Sequence, residues 1–398
     1  MAVTGPITGF TAVDLNTGVS QDLGNKYTSK DYFLDVYPNL VPGRTSPGLW
    51  SWGRNNFGGL GLGDTASRSS PVQVGSLTNW KLVASGRYHT TAIKTDGTLW
   101  SWGQNYFGNL GLGDTAVRSS PVQVGSLTNW KQVAGGGNHT AAIKIDGTLW
   151  LWGRNYYHQL GLGDQTDRSS PVQVGGLTNW KLVNSGRYHT TAIKTDGTLW
   201  LWGYNSYGSL GLGDTANRSS PVQVGSLINW KLVAGGAYHT AALRTDGTLW
   251  SWGKNNQGQL GLGDTANRSS PVQVGTLTNW KLVASGKYHT TAIKTDGTLW
   301  SWGQNTNGKL GLGDTTNRSS PVQIGTLTAW KQVVGGGQHT AAIKTDGTFW
   351  LWGTNTNGEL GLGDQTHRSS PVQVGTLTNW KLATSGGYHT AAISDGYL

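Results

Sequence analysis

Between residues 89 and 103 the chain reads HTTAIKTDGTLWSWG, two short runs of alternating apolar and polar side chains joined by Asp-Gly. Alternation with period two marks a half-buried strand, and Asp-Gly between two such runs marks a two-residue hairpin. KLVAS (81–85) and PVQVG (71–75) have the same strand character. LTNW and the glycine-rich GRNNFGGLGLGDTASRSSP between them read as loops, and no stretch carries the 3.6-residue period of a helix. The whole pattern returns every 50 residues: His-Thr at His89, His139, His189, His239, His289, His339 and His389, and Trp-x-Trp-Gly at Trp50, Trp100, Trp150, Trp200, Trp250, Trp300 and Trp350. Four short antiparallel strands repeated at such a period predict an all-β, seven-bladed β-propeller.

The repeats are out of phase with the chain ends. The first begins mid-unit at GLWSWG (48–53), and the last stops mid-unit at YHTAAISDGYL (388–398). The last blade is therefore expected to be a hybrid, with two inner strands from the C-terminus and two outer ones from residues 48–75. Such closure leaves no free strand edge. Three tryptophans per unit (Trp50, Trp52, Trp80 and their equivalents) account for all 21. They are expected to form the blade-to-blade core, each contributing about 4–6 kcal/mol as an upper bound.

Composition narrows the chemistry. Of 398 residues, 62 are Gly and none is Cys, so disulfides, thiolate nucleophiles and zinc fingers are excluded. The N-terminus MAVTGPITGFTAVDLNTG has neither a basic nor an apolar leader region, and no apolar run of about 18 residues exists, so no membrane insertion is expected. The seven His89-type residues are expected to be hydrogen-bonding residues at strand starts rather than a metal ring. Asp64-type residues are expected to cap turns or pair with Arg68-type residues, and Asp96-type residues to sit in hairpin turns. The GLGLGD stretch has no following helix and is not a nucleotide loop. The acids outside the repeat pattern, Asp167 and Glu359, fall in distant repeats, whereas glycosidase chemistry needs two carboxylates within about 5–10 Å. No enzyme activity and no cofactor are expected.

The copies differ mainly on one face. With strands lettered A (KLVAS) to D (PVQVG), the A–B and C–D connections share one face and the B–C and D–A connections the other. The second face barely varies. On the first, the residue after Trp-Gly is Arg54, Gln104, Arg154, Tyr204, Lys254, Gln304 or Thr354, and the residue before His-Thr is Tyr88, Asn138, Tyr188, Tyr238, Tyr288, Gln338 or Tyr388. Phe57, Tyr106, Phe107, Tyr156, Tyr157, Tyr204 and Tyr207 form an aromatic arc through consecutive C–D loops, with Arg54, Arg87, Tyr88, Arg154 and Arg187 nearby. Tyr, Phe and Arg dominate binding hot spots, so these twelve residues are the candidate contact surface. Framework positions supply 20 cations and 14 anions. The remaining propeller charges, Arg54, Arg87, Arg154, Arg187, Lys254, Lys287 and Lys309 against Asp167 and Glu359, are all expected on this face at net +5. An acidic protein or an anionic glycan is the expected partner; without a Lys/Arg run, nucleic acid is not.

The recurrence in register of His-Thr, Asp-Gly, Trp-x-Trp-Gly-x-Asn and Leu-Gly-x-Gly-Asp resembles the regulator of chromosome condensation repeat family over residues 48–398. The resemblance implies a seven-bladed propeller and a protein-binding scaffold. Members of that family include a nuclear exchange factor for a small GTPase, a plant ultraviolet-B photoreceptor and a bacterial β-lactamase inhibitor. The wedge insertion and basic tail of the exchange factor are missing here, as is the photoreceptor's Trp before His-Thr.

Residues 1–47 share nothing with the repeat. TSKDYFLDVYP predicts a short helix capped by Thr28 or Ser29 and ended by Pro38, flanked by extended ITGFTAVDLN and NLVPGRTSP. The segment reads as an irregular plug or attachment peptide, and it is similar to N-terminal segments of repeat propellers carried by marine tailed phages. The leading functional expectation is a virion surface or tail protein, made in the bacterial cytoplasm, docked to other virion proteins through residues 1–47 and adhering through its variable face. The alternative is a free, cytoplasmic protein-binding propeller, such as an inhibitor or an exchange-factor-like regulator.

Overall fold

The computed structural model describes residues 47–395 apart from position 77, together with strands β1 (Thr11–Val13) and β2 (Ser20–Asp22), which pair antiparallel. The chain divides into two units after Thr45. β1 falls within the stretch read as extended, and the helix expected at TSKDYFLDVYP lies outside the described residues.

In the second unit, β3 (Pro47–Gly53) and β4 (Arg68–Gln73) come first, followed by β5 (Trp80–Ser85), β6 (His89–Lys94), β7 (Leu99–Gly103) and β8 (Arg118–Gln123). β5 to β8 form one four-stranded antiparallel sheet in sequence order, and β9 to β28, from Trp130 to Gln373, repeat it five times. The seventh sheet runs β29 (Trp380–Ser385), β30 (His389–Asp395), β3, β4. Its central ladder is unbroken from Pro47↔Asp395 to Gly53↔His389, so both termini close the last blade as expected.

Two local expectations are corrected. The outer strand spans Arg68–Gln73 rather than 71–75. Asp64 holds Arg68 at 2.5 Å and ends the loop early, so Arg68 pairs with Gly53 after a register shift. Pro71 fits here because an outermost strand needs no N–H on its solvent side. The B–C hairpin is one residue longer than read: Lys94 N donates to Thr98 O (3.0 Å), and Gly97 completes the turn at φ +79°.

The tryptophans split into two groups. Trp52- and Trp80-type indoles are buried between blades, as in the cluster joining Leu49, Ala391 and Ile393 to Trp80, Ala92 and Trp102. Trp100-type rings are only half-buried, packing edge-on against Trp80 at 6.2 Å; Trp50 is the one buried member. Gly61 shows how tight the blade contact is: a Cβ there would stand 2.7 Å from Trp102 Nε1.

The seven His89-type histidines form a closed belt. His89 Nε2 meets Thr140 Oγ1 of the next blade at 3.0 Å, and the pattern repeats to His389 Nε2 and Thr90 Oγ1 at 2.9 Å. Each threonine hydroxyl spends its single proton on the carbonyl of a preceding C–D loop, as Thr90 does on Gly59 O at 2.8 Å. The imidazoles must therefore donate through Nε2, which leaves Nδ1 as the bare acceptor. Burial presses these rings below their ordinary value, His89 to about 3, so they stay neutral and bind one blade to the next.

Candidate binding face

Two turns in each blade build the variable face. Gly86 N donates to His89 O (2.8 Å), which puts Arg87 and Tyr88 at the tip of the A–B connection. In the C–D loop, Gly58 N donates to Asn55 O (2.8 Å), so positions 56 and 57 ride at a turn tip. Asn55 is buried; its Oδ1 accepts Leu60 N and its Nδ2 donates to Asp64. Arg54 N donates to Tyr388 O (2.9 Å), tying the two connections of one blade together. The fixed residues hold the turns, and the variable ones are those that the turns display.

The predicted residues come together in two clusters. In the first, Phe57 packs edge-on against Tyr88 (5.4 Å) and Tyr106 (5.7 Å), and Tyr88 stacks on Tyr388 (5.3 Å). In the second, Tyr157 contacts Tyr156 (4.8 Å) and Tyr204 (5.0 Å), and Tyr204 contacts Tyr207 (6.2 Å). Phe107 lies apart from Tyr106 and joins the second cluster through Arg154, whose guanidinium sits 4.7 Å from the Phe107 ring and 5.5 Å from Tyr156. Tyr106 and Tyr156 are exposed, and the other ten predicted residues are half-buried. Sequence reasoning left Tyr188, Tyr238, Tyr288 and Tyr388 out of the candidate set. Tyr188 lies 5.3 Å from both Tyr157 and Tyr238, and Tyr238 stacks on Tyr288. The recurrence of Tyr before His-Thr was the signal that could have found them.

Six half-buried cations of this face each lie on a ring. Arg54 is over Tyr388 (5.3 Å), Arg87 over Tyr88 (4.7 Å), Arg187 over Tyr188 (4.8 Å), Lys254 over Tyr207 (4.5 Å) and Lys287 over Tyr288 (4.9 Å), beside Arg154 on Phe107. Burial is the largest influence on the Tyr388 phenol and would raise it, but the hydrogen bonds from Arg87 and Tyr88 and the charges of Arg87 and Lys287 together hold the group below its ordinary value. Tyr238, buried and bonded to Tyr188 with no such guanidinium bond, is pushed up.

The expected charge inventory needs correction. Lys309 and Glu359 are fully buried, because the position after the turn glycine folds back to brace its own loop. Lys309 Nζ donates to Gln304 and Gln338, and Glu359 accepts Asn357 N at 2.8 Å. Burial, then Lys287, lowers the Lys309 ammonium to about 7. Asp167 is exposed but accepts Asn155 N at 2.6 Å. Six ring-stacked cations against Asp167 still leave net +5. On the opposite face Asp96 accepts Thr98 N (2.9 Å) and Oγ1 (2.7 Å), as its turn role required.

Among the described residues no group of three or more His, Cys, Asp or Glu is placed to hold a metal ion, and no helix is long and apolar enough to cross a membrane.

Comparison with known proteins agrees with this architecture. The regulator of chromosome condensation (RCC1) repeat matches residues 48–93, 96–143, 146–193, 196–243, 246–293, 296–343 and 346–393. Protein RCC2 homolog of Danio rerio is 46% identical over 52 residues, 13% of this chain and only 10% of that protein. Yeast RCC1 (Prp20), solved bound to Kap60, superposes with a TM-score of 0.81 at 21% identity over 92% of both chains. Human WBSCR16 gives 0.79 at 21% identity, over 89% of this chain and all of the other. With seven consecutive repeat matches spanning nearly all of residues 48–393, the chain belongs to the regulator of chromosome condensation (RCC1) repeat family.

Proposed function

We propose that the protein is a non-enzymatic protein-binding propeller that engages an acidic partner surface through its A–B and C–D loops. The observation that carries this reading is the layer of six cations, each laid on a Tyr or Phe ring and none paired with a carboxylate among the described residues. Guanidinium and phenol groups held in place by stacking lose little side-chain freedom on binding, which favours them as hot spots. The two acids outside the repeat pattern, Asp167 and Glu359, accept backbone N–H groups, and the Asp64-type acids of the C–D loops are paired with Arg68-type residues, so none of these stands free as a general acid or base. Related propellers support the class of partner. Yeast RCC1 was solved with Kap60 bound, and Prp20p of Saccharomyces cerevisiae was studied for its binding to Gsp1p and histones. The virion-surface expectation draws no support from these relatives, and the free binding propeller takes its place.

The test is affinity capture from lysate of the source organism. Wild-type protein and a Thr98→Ser control on the opposite face should retain the same protein. A variant with Tyr106, Phe107, Tyr156 and Tyr157 all changed to Ser should not. Capture of polysaccharide alone would replace the protein partner with an anionic glycan.

A further inference from the structure

Around the propeller axis, the residue following each A-strand glycine reads Arg87, Gly137, Arg187, Ala237, Lys287, Gly337, Gly387. Sterics explain why long side chains cannot be neighbours. A Cβ on Gly137 would stand 2.3 Å from Arg187 O and 2.9 Å from Arg187 Cγ, and one on Gly387 would stand 2.8 Å from Arg87 Cγ. Sterics do not dictate the sign of charge, yet every long residue in the series is a cation. Nothing in the blade framework requires this, since the A–B turn is closed by backbone groups.

All three cations line one axial cavity of about 130 Å³. Its other walls are glycine backbone, Ala237, Gln338, Tyr388 and a ring of serines, and it contains no carboxylate. The hydroxyls of Ser85, Ser185 and Ser385 in this lining have no hydrogen-bond partner. Each cation leans on the tyrosine that follows it at 4.7–4.9 Å. None of the three takes part in an ion pair among the described residues. The three also feel one another: burial, then Arg187 and beyond it Arg87, holds the Lys287 ammonium below its ordinary range. Like charges gathered in a half-buried cavity repel, and an anion between them removes that cost.

We infer that the mouth of the axial channel binds a free, compact, multivalent oxyanion of the pyrophosphate class, held by Arg87, Arg187 and Lys287. Guanidinium forks match the paired oxygens of such an ion, whereas a monovalent halide satisfies only one cation at a time. The site shares Arg87, Arg187 and Lys287 with the proposed partner-binding face, but Arg154 and the exposed rings Tyr106 and Tyr156 do not line the cavity, so the two readings are tested by different variants.

The experiment is calorimetric titration of the full chain with pyrophosphate at fixed ionic strength, with chloride as the reference salt. Saturable binding at one site per chain is expected, together with a higher melting temperature. Arg187→Gln and Lys287→Gln should each weaken binding about tenfold or more, as loss of a charged hydrogen-bond donor does. Lys287→Arg should retain it, and Arg154→Gln should leave it unchanged. Melting in chloride checks that each variant is folded. Absence of saturable binding overturns the inference, and so does an equal loss in Arg154→Gln, which would reduce the effect to diffuse attraction by the whole face.

Discussion

Both faces of this ring lay cations on aromatic rings, and they do so in opposite ways. On the B–C face, Lys94 lies 3.6 Å from the centroid of Trp100, and Lys144, Lys194, Arg244, Lys294 and Lys344 repeat the contact on Trp150, Trp200, Trp250, Trp300 and Trp350. Trp100 Nε1 donates to Thr98 Oγ1, which donates to Asp96, so each pair is locked into its own hairpin. Blade seven substitutes a direct bond from Trp50 Nε1 to Ser394 Oγ. On the A–B and C–D face the cation, its ring and the blades they bridge change from copy to copy. One interaction type, worth about 0.5–2 kcal/mol depending on desolvation, thus serves two ends. Where the copies agree, the pair stabilises its own hairpin. Where they differ, the proposed function assigns its atoms to a partner outside the ring.

The framework side of this contrast should break first and hardest. Deleting residues 388–398 removes β30, the strand that joins β29 to β3. The truncated chain should lose its monomeric fold and aggregate, read by size-exclusion chromatography. A monomer with unchanged melting would mean that blade seven is not assembled from both termini.

Acid is the next largest perturbation. Burial holds His89, His139, His239 and His339 at about 3 and His189 and His389 at about 4, and pushes His289 well below 6.5. Between those values and 6.5 the unfolded chain binds more protons than the folded one. The stability is therefore complete above pH 6.5 and is lost as pH falls toward 3–4. Each histidine contributes about 1.4 kcal/mol per pH unit in that window, so seven together approach 10 kcal/mol per unit. A circular-dichroism titration should show unfolding close to pH 5, with no comparable loss between pH 7 and 9. A flat profile down to pH 4 would refute the neutral belt.

Smaller effects sharpen the comparison within one blade. Trp102→Ala, at a fully buried ring, should cost about 3–5 kcal/mol by chemical denaturation, and Trp100→Ala, at a half-buried one, clearly less. Tyr106→Ser removes one edge contact at the surface and should cost about 0.5–1 kcal/mol. Equal costs at Trp102 and Tyr106 would erase the distinction between framework and display.

Much of this architecture is legible in the residues themselves. Alternation in HTTAIK and LWSWG locates the two central strands, and the incomplete first and last repeats locate the closure. The outer strand was misplaced because RSS is polar and reads as loop; the Asp64–Arg68 bridge that straightens it acts in three dimensions. Lys309 and Glu359 looked like surface charges for a related reason. Their position varies as exposed positions do, but the turn at Asn55–Gly58 and its equivalents directs the following side chain inward. The two aromatic clusters were half-visible: the arc is written along the C–D loops, whereas Tyr88 on Tyr388 depends on how closely neighbouring blades approach the axis.

The central claim is that the A–B and C–D loops carry recognition and the B–C hairpins carry only the fold. The most direct measurement is the affinity of the captured partner for two variants of equal melting temperature. One has Tyr106, Phe107, Tyr156 and Tyr157 changed to Ser; the other has Thr98, Thr148, Thr198, Thr248, Thr298 and Thr348 changed to Ser. Loss of hot-spot rings at about 2 kcal/mol or more predicts at least about thirtyfold weaker binding for the first, and a change of no more than about twofold for the second. Binding lost in the second variant and kept in the first would contradict the account.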